Sequence, residues 1–299
     1  MGTVNIKPVK HHSGFKKALD QFDQLIGIES QKRQLLSHLE LVMNPASIDD
    51  WHRKHHSGNL ELLARGLKLP RLVILSGDVG CGKTELADCV GSMLSVQLNG
   101  DEVMVYHSPS DLRGSGLVGE LSTRITALFE QVKSDLKHKY HILVIVEADD
   151  VVNSRENDQQ HHEDRSGVNA IIKELDSLEK EQNRIAVIFI SNRSNTFDPA
   201  VLRRSAIEIK FGRPEAVEIQ EVLEVLLGGI ELSQVQLSQL VQECTVKNPL
   251  FTYSDFFNRI GINNLIQAKI EDRPLEFEDF RSSIKSLDPS PQFKHHEKN

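Results

Sequence analysis

One octapeptide limits the fold of this chain more than any other feature. Residues 77–84 read Gly-Asp-Val-Gly-Cys-Gly-Lys-Thr, which matches the phosphate-binding pattern G-x-x-x-x-G-K-T. The apolar run 72–75 precedes the octapeptide, and apolar residues at helical spacing follow it. A buried strand, a glycine loop and a helix in this order are the context that the motif requires. We therefore interpret residues 77–84 as a nucleotide phosphate site rather than a chance glycine-rich turn.

The residue types in this loop suit a phosphate chain. Glycines allow backbone N–H groups to point inward, and the N-terminus of the following helix adds the positive end of a dipole. Lys83 supplies a positive charge for the β- and γ-phosphates, and Thr84 supplies a hydroxyl for Mg²⁺. We therefore expect ATP and Mg²⁺ as cofactors, with Thr84 as a ligand of the metal. The expected nucleotide contacts in this loop are Asp78, Val79, Gly80, Cys81, Gly82, Lys83, Thr84 and Glu85.

The composition of the chain argues against several other classes of function. Its 299 residues carry 35 basic and 43 acidic side chains, so the formal net charge is −8. An acidic chain is a poor binder of nucleic acid, because phosphate contacts supply most of that affinity. The three cysteines form no C-x-x-C pair, which argues against a disulfide framework and a zinc site. No apolar stretch approaches the length of a membrane span and no secretion signal is visible, so we expect a cytoplasmic protein.

Strand and helix patterns alternate through the middle of the chain. This alternation predicts an α/β fold with a five-stranded parallel sheet and helices on both faces. The predicted strands are residues 72–75, 103–106, 142–146, 185–190 and 207–211.

Pro214 marks a change of character, because every pattern after it reads as helical. We therefore divide the chain into a large nucleotide-binding domain and a small all-α lid, with a loosely ordered tail at each end. The predicted boundaries are 1–21 for the N-terminal tail, 22–213 for the large domain, 214–287 for the lid and 288–299 for the C-terminal tail.

Polar side chains follow two of the predicted strands. Glu147 stands where a buried strand emerges beside the phosphate loop, which is the place for a carboxylate that polarises an attacking water. Asn192 follows the next strand, and its amide suits the same water or the γ-phosphate. The plainer alternatives are a solvated strand end for Glu147 and a turn residue for Asn192. The phosphate loop favours the catalytic interpretation.

Two adjacent arginines, Arg203 and Arg204, stand at the edge of the predicted sheet and far along the chain from the phosphate loop. One interpretation is that they reach the γ-phosphate held by a neighbouring subunit. The other is an ordinary surface salt bridge.

The order of these motifs resembles the AAA+ ATPases, and the resemblance runs from Phe22 to Ile284. It rests on the phosphate loop, Glu-Ala-Asp-Asp at 147–150, Ser-Asn-Arg at 191–193 and Asp-Pro-Ala-Val-Leu-Arg-Arg at 198–204. The segment 22–28 is similar to the family's F-D-D-L-I-G stretch, and 168–176 to its V-N-x-L-L-x-E-L-D helix. The resemblance implies that Ile26 and Gly27 contact adenine. It also implies that Asn192 is the sensor-1 residue and that Arg204 is the arginine finger, with Arg203 beside it.

Ser191-Asn192 and Arg204-Ser205-Ala206-Ile207 resemble one branch of this family more closely. That branch contains the meiotic and spindle-checkpoint remodellers of HORMA-domain proteins and their bacterial relatives in CBASS antiphage operons. The resemblance implies ATP hydrolysis, a HORMA-type protein partner in antiviral defence and a homo-oligomer, most simply a hexamer.

Three positions depart from the family pattern. Val146 stands where the family usually has the Walker B aspartate, which helps to hold Mg²⁺; Asp149 and Asp150 are nearby candidates to replace it. Leu117 stands where the first pore loop usually has an aromatic residue, so Leu117 and Val118 form our predicted substrate pore loop. The sensor-2 arginine has no clear equivalent, and Arg259 is our candidate.

The resemblance therefore implies an ATP-dependent, ring-forming remodeller of a protein partner, and this is the function that we expect. Two alternatives stay open. One is a nucleotide-binding scaffold with little hydrolysis, which Val146 keeps possible. The other is a DNA-associated AAA+ loader, against which the acidic net charge counts.

Overall fold

The fold is built on a mixed sheet, as seen in a computed structural model that describes residues 6–64, 69–114, 119–153, 162–178 and 184–292. Within these residues, six strands form one sheet in the order β1-β3-β4-β5-β2-β6. The strands are β1 Val9–His11, β2 Leu72–Gly77, β3 Val103–His107, β4 Tyr140–Ile145, β5 Arg184–Ser191 and β6 Ser205–Phe211.

The centre of the sheet is parallel and apolar. Strand β4 pairs with both β3 and β5, and β5 pairs with β2, all in parallel. All six side chains of β4 are buried, as expected for a strand that is covered on both faces. Because β2, β4 and β5 are parallel, their carboxyl ends lie at one edge of the sheet, where the predicted site residues follow them.

The sheet differs from the prediction in one strand. We expected five parallel strands, but β1 adds a sixth, antiparallel to β3, with Val9 opposite Val105 and His11 opposite Val103. A three-residue strand with a lysine and a histidine gives no readable alternation of apolar and polar residues. For this reason the sequence predicts a loose tail at residues 9–11. The helix that follows them, residues 16–24, was missed in the same way.

Helices connect the strands. The two that pack most extensively on each other beside the sheet are α6 and α8, which add Leu121, Ile125 and Val168 to the core. Before residue 204 the helices are α1 Lys16–Gln24, α2 Glu29–Met43, α3 Ala46–His55, α4 Glu61–Ala64, α5 Lys83–Gln97, α6 Glu120–Lys133, α7 Asp149–Val152, α8 His162–Ser177 and α9 Pro199–Leu202.

After Pro214 the described chain is helical, as predicted. The elements are α10 Ala216–Leu226, α11 Gln234–Thr245, a π-helical segment Asp255–Ile262, α12 Asn263–Ile270 and α13 Phe277–Ser286. They share an apolar core of their own, in which the largest fully buried side chains are Phe251, Phe256 and Phe280.

Contacts divide the chain into two compact units. The sheet unit comprises Met1–Asp23, Ser30–Ser76 and Thr84–Lys210, and the helical unit comprises Gln24–Glu29, Gly77–Lys83 and Phe211–Asn299. The phosphate loop therefore groups with the C-terminal helices, although β2, which leads into it, lies in the sheet unit. In the described part of the chain no helix is both long enough and apolar enough to cross a bilayer.

Candidate functional site

The phosphate loop begins with a close backbone approach. Gly77 has a φ of +133°, and a Cβ added there would lie 2.0 Å from the carbonyl oxygen of Phe211. The N–H of Asp78 donates to the same oxygen, at 3.3 Å. Only glycine fits this position, because any side chain would collide with the backbone of Phe211 and would also be strained at this φ.

Lys83 is the first residue of α5, so its ammonium rises from the N-terminus of a helix. The side chain is almost fully buried, and Nζ donates to the carbonyl oxygens of Gly77 at 2.8 Å and Asp78 at 2.7 Å. A buried ammonium needs such partners, because burial without hydrogen bonds costs several kcal/mol. The cation is therefore positioned inside the loop by the loop's own backbone.

The next residues provide room and a hydroxyl. Gly82 has a φ of +88°, and Ile28 Cδ1, at 3.6 Å, is the only described atom within 4 Å of a Cβ placed there. The hydroxyl of Thr84 has no hydrogen-bond partner among the described residues, and Glu85 and Val79 are exposed. An open glycine, a buried cation and an available hydroxyl form a donor set that fits a phosphate chain with Mg²⁺.

Cys81 lies in the middle of this loop and is fully buried. Burial, reinforced by the carboxylate of Asp78, raises the pKa of its thiol to about 11. The side chain is therefore a neutral thiol at physiological pH and adds no negative charge where phosphates would bind.

A buried ion pair supports the loop from outside the motif. Asp78 Oδ2 accepts a hydrogen bond from Arg213 Nε at 2.6 Å, and Asp78 Oδ1 accepts one from the N–H of Val79 at 3.0 Å. No sequence motif singles out Arg213, because its partner Asp78 lies 135 residues earlier. The one signal in the sequence is the carboxylate of Asp78 inside a loop that binds anions, because such a negative charge requires a nearby cation.

The segment predicted to contact adenine lies in the helical unit. Ile26 and Gly27 are half-buried, and the hydroxyl of Tyr253 donates to the carbonyl oxygen of Gly27 at 2.9 Å. Burial, with Glu218 nearby, raises the pKa of Tyr253. The tyrosine therefore stays protonated and remains a hydrogen-bond donor to this segment.

Two predicted site residues at the carboxyl ends of strands have available side chains. Glu147 follows β4 with a φ of +53°, a backbone conformation that is uncommon for a residue with a side chain. Its carboxylate is exposed, and Asn192, just after β5, is half-buried; neither side chain has a hydrogen-bond partner within the described residues. Both are therefore available to a ligand or a water.

The nearby aspartates are less available. Asp149 is 5% exposed, accepts a hydrogen bond from Ser191 Oγ at 2.7 Å and pairs with Arg193 at 3.1 Å. Asp150 is exposed, with Arg193 at 4.0 Å. Asp149 is therefore engaged in supporting the turn after β5, which weakens the expectation that it replaces the missing Walker B carboxylate at Val146.

Glu208 on β6 is a further supporting residue, and no sequence motif indicates it. Its Oε1 accepts hydrogen bonds from Ser76 Oγ at 2.5 Å and Ser194 Oγ at 2.6 Å. Burial alone would raise the pKa of Glu208, but the two hydroxyl donors outweigh it and lower the pKa. Glu208 thus ties the end of β2 to the turn that follows Asn192.

The two arginines have different environments. Arg204 forms a bidentate pair with Asp176 of α8, at 2.6 Å and 2.9 Å, and also donates to the carbonyl oxygen of Ala200. The hydrogen bonds from Arg204 lower the pKa of Asp176. Arg203 is exposed and has no partner in the described part of the chain. Arg204 therefore forms a salt bridge within the chain, and its role as an arginine finger stays a prediction.

Two further predicted groups have separate outcomes. Leu117 and Val118 lie outside the described residues.

Arg259, our candidate sensor 2, pairs with the buried carboxylate of Asp255 at 2.7 Å and donates to the carbonyl oxygen of Asp288 at 3.0 Å. Arg259 therefore holds the C-terminal segment in this structure.

Comparisons with known proteins agree with the motif order. Residues 73–214 match the model of the ATPase family associated with various cellular activities (AAA). CD-NTase-associated protein 6 of Escherichia coli (strain KTE188) is 34% identical over 270 residues, which is 89% of this chain and 90% of that protein. A chain in the structure of the E. coli MS115-1 HORMA:CdnC:Trip13 complex superposes with a TM-score of 0.87 and 31% identity, over 96% of this chain and 97% of that chain. The structure of Rhizobiales Trip13 superposes with a TM-score of 0.75 and 26% identity, over 95% of this chain and 98% of that chain.

Proposed function

This chain belongs to the AAA family of ATPases, and from that premise we propose that it is an ATP-driven remodeller of a HORMA-type protein in bacterial antiphage defence. The observation that carries the proposal is its similarity, over nearly its whole length, to a chain in a HORMA:CdnC:Trip13 complex. The similarity to a CD-NTase-associated protein supports the same biological setting.

The proposed chemistry assigns one task to each side chain. Lys83 neutralises charge on the β- and γ-phosphates of ATP, and Thr84 supplies a hydroxyl ligand to Mg²⁺. Glu147 accepts a proton from the attacking water, and Asn192 orients that water or the γ-phosphate. The availability of Glu147 and Asn192 within the described residues supports these roles.

We further propose that the active form is a ring of identical subunits, most simply a hexamer, with the helices of 214–287 acting as its lid. Arg204, with Arg203 beside it, serves the nucleotide of the neighbouring subunit. Inside one subunit Arg204 pairs with Asp176, and that carboxylate is 54% exposed. An exchange of Asp176 for phosphate during assembly is therefore feasible, since an exposed ion pair contributes at most about 1 kcal/mol.

A second candidate function is a nucleotide-dependent scaffold that assembles but hardly hydrolyses ATP. Val146 favours it, because the residue that usually helps to hold Mg²⁺ is absent there and Asp149 is engaged with Ser191 and Arg193.

Two measurements on the purified chain separate the two functions. Steady-state ATP hydrolysis is measured with and without Mg²⁺, and molecular mass is measured by light scattering with and without ATP. Turnover in a large assembly supports the remodeller, whereas an assembly without turnover supports the scaffold. Release of a HORMA-domain protein from a preformed complex, only when ATP is present, then tests the remodelling itself.

A further inference from the structure

The ion pair between Arg213 and Asp78 holds the phosphate loop at its second residue. A change in this pair would therefore change the shape of the loop that is predicted to bind phosphates. Arg213 stands between the end of β6 and the start of α10, and its side chain is 5% exposed, while that of Asp78 is 15% exposed. A buried pair at 2.6 Å tolerates the loss of one partner poorly, because the other charge is then left unpaired away from water.

Asp78 connects this ion pair to Lys83, the predicted phosphate-binding lysine. Its carboxylate is fixed by Arg213 and by the N–H of Val79, and its carbonyl oxygen accepts the hydrogen bond from Lys83 Nζ at 2.7 Å. The position of the Asp78 peptide therefore determines where the ammonium of Lys83 is held. A looser Asp78 would leave that ammonium less well positioned for phosphates.

Arg213 also extends to the C-terminal segment. Its Nη1 donates to the carbonyl oxygens of Leu250 and Ser290, the latter at 2.7 Å. The N–H and Oγ of Ser290 both donate to the carboxylate of Asp255, at 3.1 Å and 2.6 Å. One guanidinium therefore joins the phosphate loop to two otherwise separate stretches of the helical unit.

We propose that Arg213 is a positioning residue for nucleotide binding, which acts through Asp78 to set the place of Lys83. This inference rests on the proposed function, since it concerns the same phosphate site. The plainer explanation is that the pair only stabilises the helical unit. The two explanations differ in one consequence: a positioning role changes nucleotide affinity in a protein that is still folded, whereas a purely stabilising role changes the melting temperature alone.

The test is a double-mutant cycle in the full chain, with Asp78→Asn, Arg213→Met and both together. The measured quantities are the Kd for ADP, from a fluorescent analogue, and the melting temperature without nucleotide. Each single variant should raise the Kd about tenfold, and the double variant should be no weaker than the weaker single variant, as for one shared interaction. Hydrogen exchange should rise at the amides of residues 79–82.

The matched control is Arg273→Met, which breaks a bidentate pair with Asp279 in the same unit, at 2.7 Å and 2.8 Å. It should lower the melting temperature and leave the Kd for ADP unchanged. A second variant, Arg213→Lys, keeps the buried charge if Arg213→Met does not fold. A lysine lacks the fork that joins Asp78 to both carbonyl oxygens, so it should give an intermediate rise in Kd.

Several results would overturn the inference. One is a wild-type Kd for ADP in Asp78→Asn and Arg213→Lys. Another is an equal rise in the Kd for ADP in Arg273→Met. That result would mean that any loss of stability in the helical unit weakens ADP binding, whichever ion pair is removed. Lys83→Ala distinguishes this failure from a failure of the proposed function. If Lys83→Ala binds ADP as well as the wild type does, the phosphate site itself is wrong. If only Lys83→Ala loses ADP, the site stands and the role of Arg213 is wrong.

Discussion

At the scale of single residues, Glu147 and its neighbours differ in what surrounds their side chains rather than in their chemistry. Three carboxylates occur within five positions after β4, and all are candidate bases by residue type. The structure leaves Glu147 without a partner in the described residues, engages Asp149 with Ser191 and Arg193, and leaves Asp150 exposed.

From this difference we predict that Glu147→Gln binds ATP normally and loses at least about a hundredfold in turnover, because an amide accepts hydrogen bonds but not the proton. The measurement is steady-state phosphate release together with nucleotide titration. The matched control is Asp150→Asn, which should retain turnover. Near wild-type turnover in Glu147→Gln would move the base to another residue.

The sequence predicted the members of the phosphate loop because that motif is local. Its eight residues are consecutive, so spacing alone identifies them. The supporting residues are different: Arg213 is 135 positions from Asp78, and Glu208 is 132 positions from Ser76. No periodicity joins such positions, and only the folded chain brings them together.

At the scale of elements, the end of β4 carries the most consequential departure from the family pattern. Val146 is half-buried, and its N–H donates to Ser108 Oγ at 3.3 Å. Because the side chain of Val146 is partly exposed, a charged side chain at this position could stay in contact with water.

We therefore predict that Val146→Asp folds, strengthens the Mg²⁺ dependence of hydrolysis and raises turnover, because a carboxylate there can help to hold the metal. Turnover is measured across a Mg²⁺ titration. Val146→Asn, which is equal in size but uncharged, is the control and should show neither effect. A large fall in melting temperature for both variants would instead mean that the position tolerates only an apolar side chain.

The π-helical segment provides a prediction on pH. Burial alone would raise the pKa of Asp255, but hydrogen bonds from Ser290, Thr252 and Arg259 outweigh it and lower the pKa to about 2. The carboxylate therefore stabilises the fold fully above its unfolded pKa of about 4, and this contribution is lost as the pH falls toward 2.

We expect Asp255→Asn to lower the melting temperature at neutral pH and to flatten its decline between about pH 4 and about pH 2, since the titrating group is gone. Thermal unfolding across this pH range is the measurement. Glu231→Gln, at an exposed loop position, is the control and should follow the wild type. A decline as steep as that of the wild type would place the acid sensitivity in other carboxylates.

The sequence predicts helices and strands correctly where the apolar pattern extends over enough residues to show its period. The strands near 142–146 and 185–190 appear as β4 and β5, and the predicted helices after Pro214 appear with shifted ends. Strand β1 and helix α3 were missed for a shared physical reason. Residues 9–11 are too few to show a period, and α3 has no buried residue and therefore no apolar stripe to read.

At the scale of the whole molecule, the ring model makes Arg204 and Lys83 complementary between subunits. We predict that Arg204→Ala binds ATP but hydrolyses little of it, and that mixing it with Lys83→Ala restores part of the turnover. In a mixed ring, some interfaces combine an intact Lys83 with an intact Arg204. Hydrolysis is measured across mixing ratios.

The control for this experiment is a mixture of Lys83→Ala with Glu147→Gln. Both changes lie in the same subunit's site, so every site in this mixture lacks either Lys83 or Glu147, and turnover should not return. Rescue in neither mixture would argue against a site completed by a neighbour.

The predicted pore loop remains a prediction, because Leu117 and Val118 lie outside the described residues. We expect Leu117→Ala to retain assembly and basal hydrolysis and to lose remodelling, whereas Leu117→Tyr retains it, since an aromatic ring offers more contact area to a peptide. Release of the partner protein is followed by size exclusion, with hydrolysis measured in parallel. A joint fall in melting temperature and hydrolysis would make Leu117 structural instead.

The helical unit is assembled from three separate stretches of chain, and this affects how it can be inherited or engineered. A gene segment that encodes residues 211–299 alone would omit Asp78 and Gly80, which are partners of Arg213 and of the Ser254 N–H. A helical unit transplanted as a single C-terminal segment would contain a buried guanidinium without its counter-ion. Exchange of this unit between relatives should therefore succeed only when the phosphate loop is exchanged with residues 211–299, so we expect the two stretches to vary together between relatives.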